Sequence, residues 1–101
     1  MPGGENMTML PLAERAFMTP RVLCKDLGDE AILLDLETET YFGLNAAGNR
    51  LFKLLTGGRT IGDAYEAMLA EYDVPAEVLE RDMRALIDDL VERGLVRIGS
   101  A

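Results

Sequence analysis

Apolar residues repeat with two different periods along this chain. From Arg21 to Leu44 they come in short runs with large aliphatic, β-branched and aromatic side chains, broken by polar turns. Such runs mark strands. Arg21 to Lys25 (RVLCK) is the first, and Asp26-Leu27-Gly28-Asp29 reads as a turn. Ala31 to Leu36 (AILLDL) is the second, and Thr40 to Leu44 (TYFGL) the third. The stretch Leu36-Glu37-Thr38-Glu39 between them suits a type I turn with a bulge. In that geometry Leu34 faces Phe42 and Ile32 faces Leu44. With Leu36 these four form the inward face, and Leu33, Asp35 and Tyr41 the other. The bulge puts Glu39 at positive φ, where glycine is preferred.

Beyond Leu44 the period becomes helical. Asn45 is a suitable N-cap for a helix over Ala46 to Leu55, which Gly57-Gly58 ends. Thr60 caps a second helix, with Asp63 as a weak capping box. Ile61, Ala64, Tyr65, Met68, Leu69 and Tyr72 form one continuous stripe on it. Asp73-Val74-Pro75 separates it from a third helix that runs to about Arg93, with Gly94 at C′. The inward stripe there is Leu79, Met83, Leu86 and Leu90, with Ile87 and Val91 beside it. Leu95 to Ile98 is a short last strand or tail. The order of elements predicts a small α+β domain, a winged helix-turn-helix with a three-stranded antiparallel sheet followed by three helices. Residues 1–18, with Pro2, Gly3, Gly4 and Pro11 and little periodicity, read as a flexible N-terminal arm, leaving 19–101 as the folded domain.

Composition narrows the function. One hundred and one residues support one domain. The net charge of −8 disfavours nucleic acid and anionic membrane surfaces, whose binding needs clustered cations. Residues 61–101 hold ten acids against four bases, a balance of −6 where a DNA-reading helix would lie. A DNA-binding regulator is therefore the disfavoured reading of another class. No secretory signal and no apolar stretch of about 18 residues is evident. The single cysteine, Cys24, allows no internal disulfide and reads as a buried, inert thiol, so a cytoplasmic protein is expected. Met1, Met7 and Met9 are all possible starts.

Catalytic chemistry is poorly served. There is no histidine, which removes the usual general base and metal ligand. One cysteine builds no zinc site. Gly57-Gly58 lacks the lysine and spacing of a phosphate loop. Pairs such as Asp88-Asp89 and Glu80/Asp82 sit on the polar faces of a helix. No cofactor and no enzyme activity are expected. Binding is physically available, because the third strand is last in its hairpin and one edge has unpaired N–H and C=O groups. An extended peptide can add there as a new strand. The candidate residues are Glu39, Thr40, Tyr41, Phe42 and Gly43 on the strand. Val78, Asp82, Ala85, Leu86 and Asp89 on the third helix form the second wall, whose acids favour a peptide carrying Lys or Arg. The same edge would also allow a strand-paired or swapped homodimer instead of a monomer.

The stretch AILLDLETETYFGLNAAGNRLFKLLTGGRTIGDAYEAMLAEYDVPAEVLERDMRALIDDLVERGLV resembles the PqqD-like family of RiPP recognition elements. The matching elements are Leu33-Leu34-Asp35, Leu36-Glu37-Thr38, Tyr41-Phe42, Leu44-Asn45, Gly57-Gly58, Thr60, Tyr72 and Val74, Asp82, and Gly94-Leu95-Val96. They cover about residues 20–98. The resemblance implies a winged helix-turn-helix that does not bind DNA. It implies capture of a ribosomal precursor's leader peptide as an added strand between the third strand and third helix. The captured peptide is then handed to modifying or processing enzymes. A standalone chain of this length looks most like the recognition protein of lasso-peptide systems, which serves a leader peptidase and a cyclase. A role beside a radical-SAM peptide-modifying enzyme is the alternative. Members from pyrroloquinoline quinone synthesis usually carry a proline-glutamate-glycine turn that LDLETETYFGLN lacks. Glu39 also departs from the family, standing where the turn glycine is usual.

Overall fold

A computed structural model describes residues 10–99. Residues 1–9 of the expected arm lie outside them. The elements are β1 (Arg15–Met18), β2 (Val22–Leu27), β3 (Glu30–Asp35), β4 (Thr40–Leu44), α1 (Ala46–Leu55), α2 (Ile61–Glu71), α3 (Ala76–Glu92) and β5 (Val96–Gly99). β2, β3 and β4 form an antiparallel sheet in that order, and β1 pairs with β5 in a separate two-stranded sheet.

The helix boundaries follow from local chemistry. Asn45 accepts the Gly48 N–H and Thr60 accepts the Asp63 N–H, each satisfying a donor that a helix start leaves open. Gly58 and Gly94 take positive φ just past the ends of α1 and α3. Two N–H groups at the start of α2 find partners far away in sequence. Ile61 donates to the Glu14 carbonyl (2.8 Å) and Gly62 to that of Leu12 (2.9 Å).

Those bonds correct the expected arm boundary. Residues 10–18 are part of the fold: Leu10 and Ala16 are buried, and β1 lies along β5 with Met18 opposite Val96. The Arg97 guanidinium covers the Phe17 ring at 4.5 Å. A strand whose partner is some eighty residues away leaves little local signal.

The register of the β3–β4 hairpin is a second correction. Leu33 pairs with Phe42, Leu34 with Tyr41 and Asp35 with Thr40. The connecting loop is thus Leu36 to Glu39, one residue longer than the bulge geometry requires. One residue inverts which side of a strand faces the core. Ala31, Leu33 and Asp35 point inward, whereas Ile32 and Leu34 are only half-buried and Leu36 is 53 % exposed. Phe42 and Leu44 do face inward as expected, and Tyr41 does face out.

The reason is Asp35, a carboxylate only 1 % exposed. Arg21 Nε donates to both its oxygens (3.0 and 3.1 Å), and the Glu37 and Thr38 N–H groups donate to Oδ1 (2.9 and 3.3 Å). Its own carbonyl accepts the Glu39 N–H at 2.8 Å. Three donors making four hydrogen bonds to one carboxylate make the inward position of an acid tolerable and shape the loop around it.

Glu39 takes φ 59°, the only non-glycine residue at positive φ among the described residues. Replacing it by glycine removes a backbone penalty of about 1 kcal/mol and adds chain entropy to the unfolded state. The net expectation for Glu39→Gly is a gain of up to about 0.5 kcal/mol, read by thermal unfolding.

Two core clusters meet at α3. One lies among the helices and the β1 segment, centred on Ile61, Ala64, Met83 and Leu55. The other lies under the sheet, where Leu33, Phe52, Leu90 and Val96 pack together. Leu86 packs against both. Val91, expected beside the inward stripe, is exposed, and Tyr72 leaves the α2 stripe because it is the helix C-cap in extended conformation.

Candidate functional site

The sheet ends at β4, whose outer edge pairs with no strand among the described residues. Which of its groups are free follows from alternation. The Leu36 N–H donates to the Arg21 carbonyl (3.1 Å), so even-numbered residues of β3 bond toward β2. Odd-numbered Ala31, Leu33 and Asp35 then bond to their register partners Leu44, Phe42 and Thr40. Tyr41 and Gly43 are left directing their N–H and C=O groups off the sheet. The edge offers two donors and two acceptors in strand geometry.

The candidate residues on β4 fall into two groups. Glu39, Thr40, Tyr41 and Gly43 are exposed, Tyr41 at 74 %. A Cβ added at Gly43 would meet nothing within 4 Å, and its φ is not positive, so neither crowding nor backbone strain requires glycine there. Thr38 and Thr40 share a hydroxyl hydrogen bond of 2.7 Å at the loop. Phe42 turns inward, half-buried against the sheet-side core, and the Arg93 guanidinium lies 5.0 Å from its ring centre.

On α3, Asp82 and Leu86 line a groove of about 310 Å³ shared with Asn45, Gly48, Leu51, Tyr72 and Val74. Val78, Ala85 and Asp89 lie outside its lining, although their spacing with Asp82 places them on one face of α3. Val78 is half-buried, and Ala85 and Asp89 are exposed. Tyr72, expected in the continuous α2 stripe, lines this groove instead. The sequence signal was the helix-ending Asp73-Val74-Pro75, which frees the tyrosine from the helix.

The charges nearby are mostly spoken for. Lys53 Nζ donates to Asp26 Oδ1 at 2.8 Å, and Asn49 Nδ2 donates to the Asp29 carbonyl at 2.9 Å, tying the β2–β3 turn to α1. The Lys53 bond, followed by that from Asn49, holds the Asp26 carboxyl below its ordinary range. Arg50 pairs with Glu71, and Arg84 with Asp88. Cys24 is free and half-buried, and burial raises its thiol pKa, which leaves it a poor nucleophile. Among the described residues no group of acids and cysteine could hold a metal ion, and no helix is long and apolar enough to cross a membrane.

A small α+β winged helix-turn-helix with an open sheet edge beside its last helix is the class these features define. The profile of the family described as Coenzyme PQQ synthesis protein D (PqqD) matches residues 30–96. The chain belongs to the PqqD family. It is 29 % identical over 58 residues to the "PqqA binding protein" of Gluconobacter oxydans (strain 621H), a match covering 57 % of this chain and 60 % of that protein. The chain thus matches less than two thirds of that relative's length.

Two solved structures share the fold. One, "TbiB1 in Complex with the TbiA(beta) Leader Peptide", superposes with a TM-score of 0.75 at 36 % identity, covering 80 % of this chain and 94 % of that one. The other, "Lasso peptide synthetase B1 complexed with the leader peptide", also has a TM-score of 0.75, at 25 % identity, covering 82 % and 98 %.

Proposed function

We propose that this protein is a non-catalytic adaptor that captures the leader peptide of a ribosomally made precursor. The peptide adds as a strand to the outer edge of β4, with α3 as the opposing wall, and is delivered to a lasso-type leader peptidase and cyclase. The observation that carries this reading is the open edge at Tyr41 and Gly43, in a chain that superposes on two proteins solved with leader peptides. Backbone bonds at that edge would supply affinity that tolerates sequence change, and the groove lined by Tyr72, Leu79 and Leu86 would select an apolar side chain. Glu39, Thr40, Val78, Asp82, Ala85 and Asp89 would form the polar surroundings. The chain's similarity to a PqqA binding protein favours one second reading, service to a radical-SAM peptide-modifying enzyme.

The test is calorimetric titration with leader peptides of precursors encoded beside this protein's gene. Binding at about micromolar Kd is expected. No heat and no chemical-shift change at ~100 µM would refute capture. Co-purification with a peptidase or with a radical-SAM enzyme then separates the two delivery readings.

A further inference from the structure

Among the described residues, four of the ten bases have an acid at hand. Arg21, Arg50, Lys53 and Arg84 each form an ion pair. Arg93 has no carboxylate within ion-pair distance among the described residues. Its guanidinium instead reaches from the end of α3 to the Phe42 ring on β4, 5.0 Å from the ring centre. A base at a helix C-cap complements the helix dipole, which accounts for its charge. The dipole does not account for its seat on the ring of a strand residue. Stacking on the ring holds the guanidinium in place, so less side-chain freedom is lost when it meets a ligand.

We propose that Arg93 is a specificity-determining residue that reads one acidic side chain in the captured strand. The inference rests on the capture reading above. If Tyr41 and Gly43 bond to an antiparallel guest, the guest residue opposite Phe42 forms a non-hydrogen-bonded pair with it. In such pairs the side chains approach most closely and lie on the same face. That single guest position projects toward the Phe42 ring and the guanidinium above it. An Asp or Glu there would bond to Arg93 through a two-pronged contact. Asp82 and Asp89 elsewhere on α3 disfavour an acid at the neighbouring positions, so the acid is expected at one place and not along the whole guest.

The experiment is display selection of short randomised peptides on the full chain, repeated on Arg93→Met and Arg93→Glu. Methionine keeps the apolar stem over Phe42 without the charge. Circular dichroism verifies both folds, with Arg93→Gln replacing either one that fails. Wild-type selections should converge on Asp or Glu at one fixed position. Arg93→Glu should replace that residue with Lys or Arg, and Arg93→Met should weaken the best wild-type peptide about tenfold. Selections without a fixed acid, or with the same profile on Arg93→Glu, would overturn the assignment to Arg93. Binders whose affinity is unaffected by Gly43→Pro would overturn strand addition itself, and this inference with it.

Discussion

Gly43→Pro is expected to weaken leader-peptide binding at least about tenfold, and toward a hundredfold, while leaving the protein folded. Position 43 is on the outer edge of the sheet, and alternation directs its N–H away from β3. Proline there removes no bond within the protein, which is the condition under which strands tolerate it. Space is available, since a Cβ at this position meets nothing within 4 Å. What is lost is one of two donors offered to the guest, whose carbonyl is then left without a partner. Gly43→Ala keeps the N–H and should bind as the wild type does. Phe42→Pro is the opposite case, because the Phe42 N–H belongs to the ladder with Leu33. That variant should unfold at lower temperature whether or not peptide is present. Titration calorimetry with melting curves for the three variants separates an open edge from a merely fragile one. Equal binding by Gly43→Pro and wild type would remove β4 as the docking strand.

Asp35→Ala is expected to lower the melting temperature by on the order of 10 °C. The variant leaves Arg21 and the N–H groups of Glu37 and Thr38 without their shared acceptor in a part-buried site. Glu37 provides the contrast. It approaches the same arginine at 3.4 Å, but its side chain is 72 % exposed, and Glu37→Ala should change the melting temperature by no more than about 2 °C. The pH dependence has a definite sign. The Arg21 hydrogen bond, aided by the two backbone donors, holds the Asp35 carboxyl below its ordinary range despite the opposing effect of burial. A carboxyl whose pKa is depressed by folding stabilises the protein above its unfolded value, about 3.9. That stabilisation is lost as pH falls through the folded value. Wild-type melting temperature should therefore drop on acidification below about pH 4, and Asp35→Ala should lack that part of the drop. Because Asp35 organises the loop leading into β4, the same variant should also bind peptide less tightly at temperatures where it remains folded.

Both expectations turn on a hairpin that the chain's pattern describes only in part. Strand positions, the outward Tyr41, the positive φ at Glu39 and the inward Phe42 and Leu44 are all legible in LLDLETETYFGLN. The facing of β3 is not. An alternation of Leu, Leu, Asp, Leu has apolar residues on both faces, so burial gives no local preference, and an acid reads naturally as the outward residue. The deciding partner, Arg21, comes from the preceding strand. The groove has a similar history: Asp82 and Leu86 are readable from the spacing of α3, whereas Tyr72 takes its place from the way the end of α2 turns.

The sequence by itself determined what depends on neighbours a few residues apart. Asn45 and Thr60 start helices because each side chain reaches an N–H three residues on. Gly58 and Gly94 end them because a left-handed backbone suits a residue without Cβ. Tertiary structure alone decided what depends on distant groups. Residues 10–18 became structure because Leu12 and Glu14 supply acceptors to α2 and β1 finds an edge on β5. The acid of the LLD run turned inward because Arg21 was there to receive it. Leaving one edge of β4 unpaired is likewise a property of the assembled sheet, since whether a strand's second edge is covered depends on what else the chain brings beside it.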